Sequence, residues 1–232
     1  SRYFAPVVVG ETVHMAGGSY GGMYAFSSTT GVQRWFAGTN QYDEWTPAVD
    51  NGRVYAYTGS YSPNLQVHDA ATGAALFSIP DPGFQWNGWS MNASPVLGSL
   101  SNVLVTQGGR LISFNLQSRT IGWQRAGRFT GNVTVAGGML YVINDGNVEA
   151  RNESNGSLVW TWIPPAGQAT AGTIVATRNL LFVSTGSHTY AIDIAARAAT
   201  WSYPAGGHLA VGRDGILFIA QQGGMLTAVD LK

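Results

Sequence analysis

Aromatic side chains accompanied by carboxylates and amides are the residues of this chain whose types suit recognition chemistry. They fall in irregular stretches, chiefly 39–45 and 81–92, outside the repetitive parts of the sequence. Rings on loops usually serve binding, and flat rings beside polar groups suit a sugar, a peptide or a protein surface. The candidate ligand-binding residues are Tyr20, Tyr42, Asp43, Glu44, Trp45, Tyr61, Phe84, Trp86, Asn87 and Trp89.

The four histidines form a second group with possible chemistry. His188 and His208 could take part in a hydrolase or lyase site, whereas His14 and His68 lie in strand-like stretches and are expected to be satisfied structural residues. The four are widely separated, so a shared metal is not expected. Cysteine is absent, which removes disulfides, thiol catalysis and cysteine zinc sites. We therefore assign no catalytic residue, no metal and no cofactor.

The charge balance limits the partners. The chain has 12 basic and 12 acidic residues among 232, so the formal net charge is zero and charged residues reach only 10%. Without a basic stripe, nucleic acid and anionic membrane are poor partners. No apolar run approaches the ~20 residues of a membrane-spanning helix. A protein, peptide or glycan ligand is the expectation.

A repeated sequence segment indicates where the candidate binding residues lie in the fold. Gly22–Phe36 predicts a strand, a polar turn with a glycine, and a second strand ending near a tryptophan. Its aromatic position recurs at Trp35, Phe77, Trp123, Trp160 and Trp201, in steps of 42, 46, 37 and 41 residues. Four strands in about 40 residues is the spacing of a propeller blade. The copies predict an all-β, six-bladed propeller of four-stranded antiparallel blades, with approximate boundaries 1–38, 39–80, 81–126, 127–164, 165–204 and 205–232.

The repeated positions have structural explanations. A polar residue before each turn can cap it with its side-chain oxygen, and the glycine of the T-G or N-G pair supplies a positive φ. Arg119 and Arg197 replace that glycine, so those two turns are expected to differ. The aromatic residue is expected to fill the gap between two blades. Asp50-Asn51-Gly52 is interpreted as a hairpin turn. Asn144-Asp145-Gly146 is also interpreted as a hairpin turn and not as a calcium loop.

The repeat resembles the PQQ-like, or quinoprotein-dehydrogenase-like, propeller family. The resemblance is carried by AFSSTTGVQRW, VHDAATGAALF, ARNESNGSLVW and AIDIAARAATW, and it covers essentially the whole chain. It implies the fold more strongly than the function, because the family includes dehydrogenases and non-catalytic scaffolds. A dehydrogenase of this kind would carry a calcium-bound quinone, a catalytic aspartate and often vicinal cysteines. The cysteine-free chain is instead similar to the non-catalytic branch, such as the propeller lipoprotein of outer-membrane barrel assembly, which implies an extracytoplasmic location.

The sixth copy, Leu226–Lys232, stops before its tryptophan. We expect that residues upstream of Ser1 complete the last blade or that this blade has three strands. The chain is accordingly interpreted as part of a longer precursor or as a trimmed chain.

In such a blade, the inter-blade links and the turns between strands two and three share one face. The candidate aromatic residues of blades one to three should therefore crowd one side of that face. Two alternatives remain open: the long link 81–92 buries its own rings, or the rings pack against a part of the protein outside this chain. The favoured function is non-catalytic binding of a protein, peptide or carbohydrate by a scaffold. The alternative is an enzyme (hydrolase, lyase or oxidoreductase) with its site at the axial funnel, using His188, His208 or Asp43-Glu44.

Overall fold

The computed structural model describes residues 5–17, 22–39, 45–58, 64–84 and 94–231. Within these ranges the regular structure is β-strand, arranged in antiparallel groups that follow one another along the chain. This confirms the all-β prediction. In the same ranges, no helix has the length and apolar character needed to cross a membrane.

The first two groups are four-stranded sheets, each with its strands paired in sequence order. The first contains β1 (Val7–Val9), β2 (Thr12–Ala16), β3 (Met23–Ser27) and β4 (Gln33–Ala37). The second contains β5 (Ala48–Asp50), β6 (Arg53–Thr58), β7 (Asn64–Asp69) and β8 (Ala75–Pro80). We call each such group a blade, because each corresponds to one copy of the repeat.

Blades three and four share a strand. They contain β9 (Val96–Leu97), β10 (Asn102–Gln107), β11 (Gly109–Asn115), β12 (Thr120–Ala136), β13 (Met139–Asn144), β14 (Asn147–Asn152) and β15 (Leu158–Trp162). The 17-residue β12 pairs with β11 and with β13, which gives one seven-stranded sheet. The predicted boundary between residues 126 and 127 falls inside this strand. Its register shifts between Thr130 and Thr134, where a bulge interrupts the pairing.

The last two groups are blades five and six. Blade five contains β16 (Thr170–Ala176), β17 (Leu180–Thr185), β18 (Thr189–Asp193) and β19 (Ala198–Tyr203). Blade six contains β20 (His208–Val211), β21 (Ile216–Ala220) and β22 (Leu226–Asp230), a three-stranded sheet within the described residues. The six strand groups are consistent with the predicted six blades.

The chain divides into two compact units. The first comprises Ser1–Leu97, Ser101–Gly108 and Ile112–Gln124, and the second comprises Gly98–Leu100, Gly109–Leu111 and Arg125–Lys232. In the first unit, Tyr57, Leu65 and Phe114 belong to an apolar core between blades two and three. In the second, Tyr141, Trp162 and Leu181 belong to a core between blades four and five. The interior positions are apolar on both faces of the strands, as expected for sheets packed against sheets.

The tight turns follow the predicted chemistry in most copies. Asn51 and Gly52 have φ of 48° and 71°, and Asp145 and Gly146 have φ of 51° and 77°, so both predicted hairpin turns are confirmed. The capping prediction is confirmed as well. In blade two, one carboxylate oxygen of Asp69 accepts hydrogen bonds from the backbone N–H of Ala71 (3.0 Å) and of Thr72 (2.8 Å).

The expectation that Arg119 and Arg197 change their turns is wrong. Their φ values of 55° and 58° lie in the same left-handed region as the 74° of Gly73. The Arg197 N–H donates to the Asp193 carbonyl at 2.8 Å, just as the Gly73 N–H donates to the Asp69 carbonyl at 2.8 Å. The capped turn holds the backbone in this conformation, although it costs a non-glycine residue roughly 1–2 kcal/mol.

The repeated aromatic residue packs against the turn of the next blade. Trp35, 7% exposed, donates from Nε1 to the Ala70 carbonyl at 2.9 Å. A Cβ on Gly73 would lie 2.6 Å from the Trp35 ring, so the ring occupies the space that a side chain there would need. Between blades two and three the ring is Phe77, and the Arg119 guanidinium lies 4.4 Å from its centroid. We call the contact between two successive blades a joint. The predicted position of the aromatic residue is thus confirmed at two joints, the one between blades one and two and the one between blades two and three.

Candidate functional site

Most of the predicted recognition residues lie outside the described ranges. These are Tyr20, Tyr42, Asp43, Glu44, Tyr61, Trp86, Asn87 and Trp89. Phe84 is half-buried and packs on the core between blades two and three. Trp45 is 3% exposed and belongs to a core cluster with Ala16 and Val54. The apolar ring of Trp45 is therefore withdrawn from water, and we place this residue in the core and not on a binding surface.

The described ends of the long link between blades two and three are both fixed by hydrogen bonds. At the first end, Asp81 is 4% exposed and accepts a hydrogen bond from the Tyr57 hydroxyl at 2.7 Å. The same carboxylate accepts the Gly83 N–H at 3.1 Å. At the second end, the Ser94 hydroxyl accepts the Thr46 N–H at 2.9 Å. Tyr57, Asp81 and Ser94 position the link but are not among the residues predicted from the sequence. The sequence signal that could have identified Asp81 is an acidic residue followed by Pro-Gly, directly after a strand.

A cleft of about 470 Å³ opens in the second unit, between blades five and six. Four chain segments meet there: the start of β16, the β17–β18 turn, the link into β20, and the β21–β22 turn. The lining residues are Ala171, Gly172, Ser184, Thr185, Gly186, Ser187, Pro204, Ala205, Gly206, Gly207, His208, Ala220, Gln221 and Gln222. The volume lies within the roughly 300–1,000 Å³ typical of ligand pockets.

Close backbone packing shapes the floor of this cleft. A Cβ on Gly206 would lie 2.0 Å from the Thr185 carbonyl oxygen, and one on Gly207 would lie 2.3 Å from the Ala220 carbonyl oxygen. The Gly207 N–H donates to the Ser184 hydroxyl at 2.9 Å, which ties the link to the β17–β18 turn. Only glycine fits at these two positions, which lets the link pack closely against the neighbouring segments.

The cleft presents polar side chains at its edge. His208 and Gln222 are exposed at its edge, and Nδ1 of His208 lies 4.0 Å from the position of a Cβ on Gly172. The Gln221 amide nitrogen donates to the Thr227 hydroxyl at 3.0 Å, which leaves the Gln221 carbonyl oxygen for another donor. The lining residues include no Asp, Glu, Lys or Arg. The arrangement suits an uncharged ligand that both donates and accepts hydrogen bonds.

The two histidines singled out in the sequence are placed differently. His208 lines the cleft, and His188 is not among the lining residues. The His188 ring stacks on Tyr190 with centroids 5.9 Å apart, and its Nδ1 lies 2.9 Å from the Ser187 hydroxyl oxygen. The Tyr190 hydroxyl in turn donates to the Gln168 side chain at 3.0 Å.

The other histidines occupy strands, as the sequence indicated. His68 contacts the Gly73 carbonyl at 2.9 Å and the Gln66 side-chain oxygen at 3.2 Å, so the prediction of a satisfied residue is confirmed. For His14 the same prediction is wrong. His14 is 1% exposed, and its Nδ1 has no hydrogen-bond partner among the described residues. Burial, followed by the nearby charge of Arg34, lowers the pKa of His14.

The residues that line this cleft do not fit a calcium-bound quinone. A calcium ion prefers several carboxylate and carbonyl oxygens, and the cleft is lined without a carboxylate. Among the described residues, no group of three His, Cys, Asp or Glu side chains could hold a metal ion. Shifted pKa values are found at His14, Asp69 and Tyr141, which lie outside the cleft.

Comparison with solved structures places the chain among propellers. The BamB of Moraxella catarrhalis superposes with a TM-score of 0.76 at 16% identity, over 98% of this chain and 69% of that one. A quinohemoprotein alcohol dehydrogenase of Pseudomonas putida HK5 gives 0.73 at 13% identity, over 92% of this chain and 50% of that one. The computationally designed Ika8 protein gives 0.63 at 11% identity, over 98% and 83%. At such identities the likeness shows the propeller fold alone.

The sequence itself is matched by one family model. No curated protein sequence matches significantly. The model described as outer membrane protein assembly factor BamB matches residues 2–126 and 64–206, two overlapping stretches that together cover most of the chain. The chain therefore belongs to the propeller-repeat family described as outer membrane protein assembly factor BamB.

Proposed function

We propose that this chain is a non-catalytic scaffold that binds a protein partner outside the cytoplasm. The observation that carries the proposal is its membership of a family described as an outer membrane protein assembly factor. A propeller suits this role, because its strands form a rigid frame and its loops can vary without disturbing the blades.

We propose that the partner contacts the aromatic loop face of blades one to three. The long link 81–92 carries three of the candidate rings, Phe84, Trp86 and Trp89. The buried Asp81–Tyr57 hydrogen bond and the Ser94–Thr46 hydrogen bond support the proposal, because they fix where this link leaves and rejoins the blades. Fixed ends lower the entropy that the loop loses when a partner binds. A peptide or a carbohydrate is the alternative ligand for the same rings.

The test compares loop and strand aromatic residues. Solubilised bacterial envelope proteins are passed over the immobilised chain and over its Trp86→Ala/Trp89→Ala double variant, and the retained proteins are identified by mass spectrometry. The matched control is Phe36→Ala, which removes a strand ring that is 48% exposed. The proposal predicts a defined retained set that the double variant loses and the control keeps. Equal retention by all three proteins would contradict the loop face. Retention of glycans alone on a carbohydrate array would contradict the protein partner.

A second variant tests the anchoring of the link. Tyr57→Phe keeps the buried ring and removes the hydroxyl that donates to Asp81. Leaving a buried carboxylate without this donor costs about 1–3 kcal/mol. We expect weaker partner retention together with a lower unfolding midpoint. A lower midpoint with unchanged retention would show that the link does not position the binding residues.

A hydrolase is the second candidate function, and a single contact favours it. The Ser187 hydroxyl oxygen and His188 Nδ1 are 2.9 Å apart, which is the distance of a nucleophile and its general base. A serine-directed fluorophosphonate probe separates the two candidates. Labelling of Ser187 that is lost in His188→Ala would favour the hydrolase, and no labelling is expected for the scaffold.

A further inference from the structure

We infer that the cleft between blades five and six is a second binding site, which takes an uncharged peptide segment such as a loop tip of a partner protein. This inference goes beyond the proposed function and does not depend on the aromatic loop face. The cleft lies within the second compact unit, and the candidate aromatic residues belong to blades one to three.

The charge of the lining selects against ionic ligands. The lining residues include no Asp, Glu, Lys or Arg, and His208 is the one side chain among them that can carry a charge. A phosphate, a carboxylate or an ammonium group would therefore lose its hydration without gaining a countercharge, which is unfavourable. The lining also contains no Trp, Tyr or Phe ring. Rings supply much of the contact area with sugar faces and bases, so their absence from the lining disfavours a glycan or a nucleobase.

The remaining chemistry matches a peptide main chain. Glycines at 172, 186, 206 and 207 bring bare backbone to the cleft, and His208 and Gln222 add side chains that can donate and accept hydrogen bonds. A peptide main chain offers one donor and one acceptor per residue without charge. A segment rich in Gly, Ser, Asn and Gln could approach the backbone of these glycines closely and pair with both kinds of group.

Substitution of Gly186 by a large residue should fill the cleft without disturbing the backbone. It lines the cleft, its φ is outside the left-handed region, and a Cβ there would meet nothing within 4 Å. Gly186→Phe should therefore project a ring into the cleft without straining the backbone. Gly38 is the matched control, since a Cβ there also meets nothing within 4 Å and Gly38 belongs to the first unit.

The experiment is a selection from a phage-displayed library of random heptapeptides on the intact chain. Selected peptides are resynthesised with a fluorophore, and their binding is measured by polarisation. We expect peptides without net charge, enriched in Gly, Ser, Asn and Gln. Their affinity should fall at least about tenfold in Gly186→Phe, fall about threefold in His208→Ala, and stay within about twofold in Gly38→Phe. Thermal unfolding of each variant checks that it folds.

Three results would overturn the inference: no selected binder, binders dominated by charged sequences, or binders equally sensitive to Gly38→Phe and Gly186→Phe. If Gly186→Phe does not fold, Gln222→Trp is the second variant, because Gln222 is exposed at the edge of the same cleft. Failure here leaves the scaffold proposal intact, because that proposal is tested by the Trp86→Ala/Trp89→Ala variant on another unit.

Discussion

Two joints between blades in the first unit solve the same packing problem with different residues. At the first joint, Trp35 fills the gap, and the facing turn carries Gly73, where a Cβ would lie 2.6 Å from the ring. At the second joint the ring is Phe77, and the facing turn carries Arg119, whose guanidinium lies 4.4 Å from the ring centroid. The Arg53 guanidinium lies 6.0 Å from the same centroid.

At both joints, the aromatic ring of one blade and the facing turn of the next blade pack together as a matched pair. At the first joint the indole occupies the space that a side chain on Gly73 would need, whereas at the second joint a cation covers the face of the smaller phenyl ring. The backbone of the turn is the same in both cases, with a φ of 74° at Gly73 and 55° at Arg119. Four sets of substitutions test how these joints are held together, and the set with the largest expected effect comes first.

Removing the rings should have the largest effect. Trp35 is 7% exposed, so Trp35→Ala should lower the free energy of unfolding by about 3–5 kcal/mol through lost burial and a cavity. Phe77 is only half-buried, so Phe77→Ala should cost about 1–3 kcal/mol. Urea denaturation followed by circular dichroism measures both. Equal losses would show that the two joints do not differ in packing.

Glycine substitution separates the ring contact from the backbone strain. Gly73 and Gly31 share the turn position, with φ of 74° and 71°, but a Cβ on Gly31 meets nothing within 4 Å. Gly31→Ala should cost about 1–2 kcal/mol for the left-handed backbone alone. Gly73→Ala should cost about 1–3 kcal/mol more, because the new methyl group displaces the Trp35 ring. The same denaturation assay applies, and matching costs would contradict the ring–turn contact.

The first joint should also respond to pH. His14 lies 5.6 Å from the Trp35 ring, and burial together with the Arg34 charge lowers the pKa of His14 from its usual 6.5. The unfolded chain then binds the proton more readily than the folded chain. The contribution of His14 to the free energy of unfolding is complete above about pH 6.5. It is lost as the pH falls toward the pKa of His14 in the folded chain.

The charged groups on the segments next to His14 are Glu11 and Arg34. A guanidinium nitrogen of Arg34 lies 3.8 Å from a carboxylate oxygen of Glu11. We expect His14→Phe to flatten the decline in unfolding midpoint between pH 7 and pH 5, relative to the unmodified chain. An unchanged decline in this variant would show that another group causes it.

The smallest effects should come from the two turn arginines. Arg197→Gly relieves the left-handed strain and should raise stability by up to about 1 kcal/mol. Arg119→Gly relieves the same strain but loses the cation–π contact with Phe77, worth about 0.5–1 kcal/mol, so its net effect should be near zero. Equal stabilisation by the two substitutions, measured by calorimetry, would show that the Arg119 contact contributes nothing.

The repeat predicted much of the fold, because its periodicity is imposed locally on every copy. Turn positions such as Asn51-Gly52 and capping residues such as Asp69 follow from the conformations that single residues favour. The conformation of the Arg119 turn was missed, because a hydrogen-bonded turn overrode the preference of the residue. Trp45 was placed on the surface, because its position beside polar loop residues gives no sign of the Ala16 and Val54 side chains that bury it.

The cleft could be predicted only in part. His208 was identified as a residue of interest, but the cleft depends on segments distant in sequence that meet at Gly206 and Gly207. The close approach of Gly206 to the Thr185 carbonyl has no local signal in a chain that contains 31 glycines. Contacts between distant backbone segments are set by the packing of whole blades, which a single sequence does not show.

The most direct test of the aromatic residues' roles compares a tryptophan at a joint with the tryptophans on the long link. The free energy of unfolding is measured by urea denaturation for Trp35→Ala, Trp86→Ala and Trp89→Ala. We expect a loss of about 3–5 kcal/mol for Trp35→Ala and less than about 0.5 kcal/mol for each link variant. Losses of several kcal/mol in Trp86→Ala and Trp89→Ala would show that these rings are core residues, and would contradict their proposed role in binding a partner.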